Sequence, residues 1–393
     1  MTGDGAPSQR LGLFSCMMFL TLLTLGLVIA SLPELVDARF GVRGGGALFI
    51  AIEMVAAMVA ALLGGTLADR SGRRRPWIVL GYGLSALCFW FLIVAPTFPL
   101  LLVARAIQGG SAALAWSLVL TVAADGAPPE RRGRAMGVMG ATIILGVAVG
   151  IPLGGVVAST AGTLAPLWMG TVVLAALCGV AMVLPEHPIA SRPATIADTI
   201  ASIRGAPHLR VPYAFSFADR FSAGYFIVSF PLFVSQAFDM GPAQRGGLIA
   251  LFFIPFALLQ VPFSWRGDRK RRVPALVGGA IGYGLCLGSL GAAALVPWGL
   301  PLLWLLLIGA GASAAMMFPA SLTLTTELAP EGGRATAIGG FNAAGSAGFA
   351  IGPLLAALAL TFMGPGPSFV FVGVVMLTVV AVSWPALRTF GKT

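Results

Sequence analysis

The stretch GGTLADRSGRRRP, residues 64–76, lies between two long apolar runs and crowds one aspartate and four arginines into seven positions, 69–75. Across the chain only 10% of the 393 residues are charged, and 58% are hydrophobic. An ordinary soluble domain is about 25% charged, so a chain this apolar has lipid as its solvent. A knot of charge between two apolar runs then reads as a short loop held in water. Glycine (52) and proline (27) are frequent without ending the apolar runs. Transmembrane helices tolerate both, because neighbouring helices and polar side chains satisfy the freed backbone groups.

Outward from 64–76, runs near the roughly 20 residues needed to cross a bilayer recur along the chain. They fall at 11–36, 45–66, 76–96, 98–124, 134–159, 164–185, 211–236, 244–264, 273–295, 300–326, 334–361 and 367–388, twelve in all. The leader MTGDGAPSQR is short and polar and the first run is long enough to span, so no cleaved signal peptide is read. Nineteen of the 24 Lys and Arg residues fall on one side of these spans, Arg39, Arg43 and Arg245 fall on the other, and Arg105 and Arg220 lie within spans. This bias predicts a multi-pass protein of the cell (inner) membrane with both termini in the cytoplasm. It also accounts for the net charge of +10 through an anionic leaflet, with no nucleic acid as partner.

The longest polar stretch, Glu186 to Arg210, divides six spans from six. The halves repeat weakly: ERRGRAMGVMG (130–140) resembles EGGRATAIGG (331–340), and IASLPELV (29–36) resembles IVSFPLFV (227–234). The predicted architecture is an all-α membrane protein of twelve transmembrane helices in two pseudo-symmetric six-helix bundles, with an N-terminal bundle at 1–187, a cytoplasmic linker at 188–210 and a C-terminal bundle at 211–393. Such duplicated layouts belong to transporters that bind solute near the bilayer midplane.

Residues 64–76 resemble the loop 2–3 signature of the major facilitator superfamily, with Gly65, Leu67, Ala68, Asp69, Arg70, Gly72, Arg73 and Arg74 in its positions. ARAIQGGSAA in the fourth span resembles a second signature, through Arg105, Gln108 and Gly109. The resemblance covers the whole chain and implies the twelve-helix major facilitator fold of drug and metabolite exporters. It implies that Asp69 latches the cytoplasmic side, with Gly65, Arg70, Gly72, Arg73, Arg134, Asp125 and Glu327 as further gating or capping residues. For the arginines the alternative is that they only set topology. The second-half counterpart, SWRGDRKRR (264–272), keeps Asp268 and the basic run without the glycines, so a weaker latch is expected there. In the fifth span Gly146, Gly150 and Gly154 recur every four residues and open a face for close helix packing. The motif GVAVGIPLGG is similar to that of drug–proton antiporters, but Ile151 separates Gly150 from Pro152, a spelling nearer to sugar and metabolite exporters.

Ionisable groups inside a span are costly and usually functional. Glu53 and Arg105 lie at similar depth, so they are candidates to pair. Arginine stays charged and tunes a neighbour instead of carrying a proton. Asp219 is the best candidate for a protonatable group in the second half. Arg220 follows it, yet adjacent residues point about 100° apart on a helix. For Arg105 and Asp219 the alternative is a structural charge pair, and for Glu53 it is a carboxylate that snorkels to the outer headgroups. Glu34 and Asp37 read as outer-surface residues. Trp116, Phe215, Phe226, Phe230 and Phe341 are candidate walls of a substrate cavity, each open to the alternative of core packing.

Four cysteines lie singly in four spans, and both histidines lie in the 186–210 stretch, so neither a metal site, a disulfide framework nor a histidine-based catalytic site is read. No GxxxxGK[ST] loop for ATP is present. The expectation is a monomeric, non-enzymatic secondary transporter without cofactor or metal, embedded in lipid, exporting a small lipophilic molecule by alternating access in exchange for protons. The alternatives are an exporter or facilitator of a metabolite, sugar or organic anion, and a non-transporting membrane sensor.

Overall fold

A computed structural model describes residues 6–42, 45–71, 73–126, 132–185, 207–265, 272–329 and 334–390. Among the described residues there are twelve long helices and no strands. They are α1 (Ala6–Leu27), α2 (Gly45–Ser71), α3 (Arg75–Val94), α4 (Phe98–Asp125), α5 (Arg132–Ala161), α6 (Ala165–Val183), α7 (Arg210–Phe238), α8 (Pro242–Trp265), α9 (Arg272–Gly288), α10 (Gly299–Leu328), α11 (Arg334–Met363) and α12 (Pro365–Phe390). Ten contain stretches long and apolar enough to cross a bilayer, and Leu11–Leu27 and Gly45–Ala60 are shorter apolar stretches within α1 and α2.

The helices are apolar on both faces, and burial separates the faces. On α3, Leu80, Leu84, Leu87, Trp90 and Val94 form an exposed stripe at spacings of three and four, while Tyr82, Ser85, Phe89 and Leu92 are buried. Apolar groups outside and a hydroxyl inside is the pattern of a helix solvated by lipid. The first span departs from the continuous helix expected over 11–36. Helix α1 stops at Leu27, residues 28–31 turn, and a π-helical segment covers Pro33–Ala38. Pro33 has no N–H to give to the carbonyl of Ile29, so the ladder breaks there; it re-forms when Leu35 N donates to the Ser31 carbonyl at 2.8 Å.

The chain clusters into two units, Met1–Pro193 with Gly241–Gly247, and Ala194–Met240 with Leu248–Thr393. In the first, α1 packs on α5, and α4 packs on α2 and α3, with α6 against α3. The α5 glycines make the α1–α5 seam: a Cβ at Gly146 would lie 2.6 Å from the Phe19 carbonyl oxygen, and one at Gly150 or Gly154 would run into that of Leu23 or Leu27. Those three carbonyls also recur every four residues, so two four-residue periods interlock. In the second unit α7 packs on α11, and α9 on α10 and α12. There Gly348 and Gly352 face the Phe217 and Phe221 carbonyls in the same manner. The parallel order of contacts matches the sequence repeat.

Candidate functional site

The loop 2–3 signature is partly described. Gly65, Asp69 and Arg70 lie within α2, but their side chains, that of Arg134, and the whole of Gly72 and of 266–271 with Asp268 lie outside the described residues. Ser71 ties the end of α2 to the start of α3: its Oγ donates to the Arg73 carbonyl at 2.9 Å and accepts from Trp77 Nε1 at 2.9 Å. Arg73 is exposed, while Arg74, at the N-terminal edge of α3, is 1% exposed. Arg74 Nη1 meets Asp125 Oδ2, at the C-terminal end of α4, at 2.6 Å. The same arrangement recurs in the second unit, where Arg272 at the start of α9 pairs with Glu327 near the end of α10. A cation at a helix start and an anion at a helix end both oppose the helix dipole, so these pairs need each other and tie neighbouring helices together.

Deeper in the first unit, Glu53 of α2 and Arg105 of α4 are both buried and form a direct ion pair. Arg105 Nη1 donates to Gln108 Oε1 at 2.7 Å, and Gln108 Nε2 donates to Ser85 Oγ of α3 at 3.2 Å. The guanidinium lies over the Phe49 ring at 4.4 Å and near that of Phe89 at 5.9 Å. A Cβ at Gly109 would come within 2.6 Å of Glu53 Cγ. Each element of the ARAIQGG motif therefore serves Glu53: the arginine neutralises it, the glutamine fixes the arginine, and the glycine makes room for it. The result is a closed network among α2, α3 and α4, sealed by aromatic rings on which a cation is favourable.

The second unit carries the opposite arrangement. Asp219 of α7 is 8% exposed and has neither an ion-pair nor a hydrogen-bond partner among the described residues. Arg220 is half-buried, and its Nη2 donates to Asn342 Oδ1 of α11 at 3.1 Å. Adjacent and opposite in charge, the two interact electrostatically but do not bond, as the 100° step between them requires. On α9, Tyr283 is 0% exposed and stacks on Phe252 of α8 at 6.1 Å, and its hydroxyl has no hydrogen-bond partner among the described residues.

The aromatic candidates divide. Trp116 is half-buried, whereas Phe215, Phe226, Phe230 and Phe341 are 0–2% exposed. Phe341 sits in a core cluster with Leu209, Tyr213 and Ala337, and Phe226 stacks on Phe230 at 4.7 Å. These four pack the second unit's interior.

Sequence reasoning misses three features. Asp37 accepts from Gly46 N at 2.7 Å and so caps α2, and Arg39 donates to the carbonyls of Leu92, Ile93 and Ala95, at 2.8–3.0 Å, at the end of α3. Glu34 pairs with Arg245, which is 0% exposed and lies in the 241–247 segment of the first unit. The sparse charge of the outer side is the available signal: Glu34 and Asp37 read as surface acids, yet few arginines share that side and two of them are engaged.

A family model for the major facilitator superfamily matches residues 14–218 and 213–390. The chain belongs to the major facilitator superfamily. Members differ widely, and the relatives found reflect this. The quinolone resistance protein NorA of Staphylococcus aureus (strain MRSA252) is 32% identical over 141 residues, which is 36% of this chain and 36% of NorA. The magnetosome protein MamH of Paramagnetospirillum magneticum (strain ATCC 700264 / AMB-1) is 24% identical over 95% of this chain and 90% of its own. Among solved structures, the human organic anion transporter MFSD10 aligns with a TM-score of 0.70 at 20% identity, over 96% of this chain and 100% of that one. A bacterial homologue of the human lysosomal transporter Spinster aligns at 0.75 with 16% identity, over 100% and 99%. At these identities the structural likenesses show the fold alone. As a superfamily member the chain is a multi-pass membrane protein of a transporter family.

Proposed function

We propose that this chain is a secondary active transporter of the cell membrane, with both termini cytoplasmic, that exports a small lipophilic molecule by alternating access in exchange for protons. The observation that carries this reading is Asp219: a buried carboxylate about a third of the way along α7, with no ion-pair or hydrogen-bond partner among the described residues to hold it in one protonation state. A carboxylate paired with an arginine, as Glu53 is, is favoured in its charged form by that partner. An unbonded one is free to exchange its proton for a substrate. The partial likeness to NorA supports drug efflux as the physiological context. In this reading the cytoplasmic pairs Arg74–Asp125 and Arg272–Glu327 keep each unit stiff while the signature around Asp69 latches and releases.

A second reading, transport of a metabolite or organic anion, is favoured by one observation, the half-buried Arg220 with a neutral amide as its bonded partner. The test is proton release from the detergent-solubilised protein in weakly buffered solution on addition of a piperazinyl quinolone or of ethidium. Export by exchange predicts release of about one proton per substrate bound, abolished in Asp219→Asn. Binding without release, unchanged in Asp219→Asn and lost in Arg220→Gln, replaces it with the anion reading.

A further inference from the structure

The two intramembrane charge sites are built in opposite ways. Glu53 and Arg105 close on each other, and glutamine, serine and aromatic rings occupy the space around them. Asp219 and Arg220 are adjacent in sequence yet stay open. They lie about 14 Å along the axis from the start of α7, at 1.5 Å per residue, and diverge. Arg220 lies toward α11, where a Cβ on Gly345 would meet its Cδ at 2.6 Å.

The surroundings of each charge show what it lacks. Asp219, 8% exposed, has no donor among the described residues. Arg220 spends one Nη2 hydrogen on Asn342 and meets no carboxylate among the described residues. Asn342 and Ser346, one turn apart on α11, are both exposed. An exposed amide and hydroxyl flanking a half-buried guanidinium do not face hydrocarbon, since polar groups at this depth turn to water or to a ligand. A negative site and a positive site thus stand side by side on one helix, each short of its counter-charge.

We propose that Asp219 and Arg220 form the two ends of a receptor for a zwitterion. The substrate's ammonium docks on Asp219, and its carboxylate or other anionic group docks on Arg220, Asn342 and Ser346. This rests on the exchange reading above, in that the ammonium takes the place of the exchanged proton at Asp219. A doubly charged but net-neutral ligand supplies both missing counter-charges at once, which neither a cation nor an anion does. Because the two side chains diverge, the ligand's charges are separated by a spacer, longer than in an α-amino acid.

Four probes with one core test this by titration calorimetry on the solubilised protein: 4-(aminomethyl)benzoate, its methyl ester (cation), its N-acetyl derivative (anion) and the doubly blocked neutral form. The zwitterion is expected to bind at least tenfold more tightly than any other. Asp219→Asn, which keeps the side chain's shape, brings it level with the anion, and Arg220→Gln brings it level with the ester. Each variant is accepted only if it elutes as the wild type does on size exclusion. Equal affinity for the zwitterion and either singly charged probe, or no binding of the zwitterion, overturns the proposal. Flux of the same probes into proteoliposomes separates it from the reading it rests on. Transport of a singly charged probe with no zwitterion preference sinks the receptor and leaves the transporter; no flux of any probe sinks the transporter reading itself.

Discussion

At the scale of single residues, charge buried in this protein is either answered locally or left open, and the difference assigns roles. Arg105 is answered: it spends its hydrogens on Glu53 and Gln108 and its face on Phe49. Removing one partner of such a buried pair strands the other, at a cost of about 3–5 kcal/mol. Arg105→Ala is therefore expected to lower the thermal midpoint in detergent markedly. Glu53→Gln, which retains an acceptor for the guanidinium, should cost less. Equal midpoints for Arg105→Ala and wild type would place the pair outside the stabilising core. Asp219 is unanswered, so Asp219→Asn, which removes a buried charge and breaks no hydrogen bond or ion pair among the described residues, should not lower the thermal midpoint. The Glu53–Arg105 pairing was legible through matched depth in two spans, and the divergence of Asp219 and Arg220 through the helical step. Glu34–Arg245 was not, because nothing in a single chain says that residues more than two hundred positions apart will meet.

At the scale of elements, spacing in the sequence is enough to locate the helices and one of their seams. Span lengths follow from bilayer thickness, so a long helix lies at each of the twelve predicted places, although the first stops at Leu27, and the four-residue glycine period on α5 announces a close crossing. Its partner was not legible: α1 has no matching glycine run, and the α5 stripe is met by the backbone of Phe19, Leu23 and Leu27. Gly150→Leu pushes a side chain into the Leu23 carbonyl and is expected to cost at least the roughly 1–3 kcal/mol typical of overpacked cores, read as a lowered thermal midpoint and poor expression. Gly140→Leu on the same helix, where a Cβ meets nothing within 4 Å, serves as the tolerated control. A Gly150→Leu protein as stable as wild type would mean that α1 and α5 do not cross there. The first span's break escapes a sequence reading for a physical reason: the apolar run continues through IASLPELV, and only the absent N–H of Pro33 ends the helix. The aromatic residues expected to wall a cavity mostly fill the second unit's core, because size and apolarity suit both places equally and only facing distinguishes them.

At the scale of the molecule, a duplicated chain has kept one architecture and let its charges diverge. Both units retain the tie between a helix start and a helix end, Arg74–Asp125 and Arg272–Glu327. Among the described residues, the sealed intramembrane pair lies in the first unit and the open one in the second. A rigid charge in one unit and a responsive one in the other fits a carrier in which the first unit is scaffold and the second is read by proton and substrate. Transport driven by a proton gradient tests this most directly. Proteoliposomes with an acidic exterior should drive outward movement of a loaded piperazinyl quinolone through wild-type protein whose cytoplasmic face lies inward. In Asp219→Asn the gradient should no longer accelerate that movement, while gradient-independent exchange of labelled for unlabelled compound continues. Gradient-driven export that survives intact in Asp219→Asn would contradict the assignment of Asp219 as the coupling group.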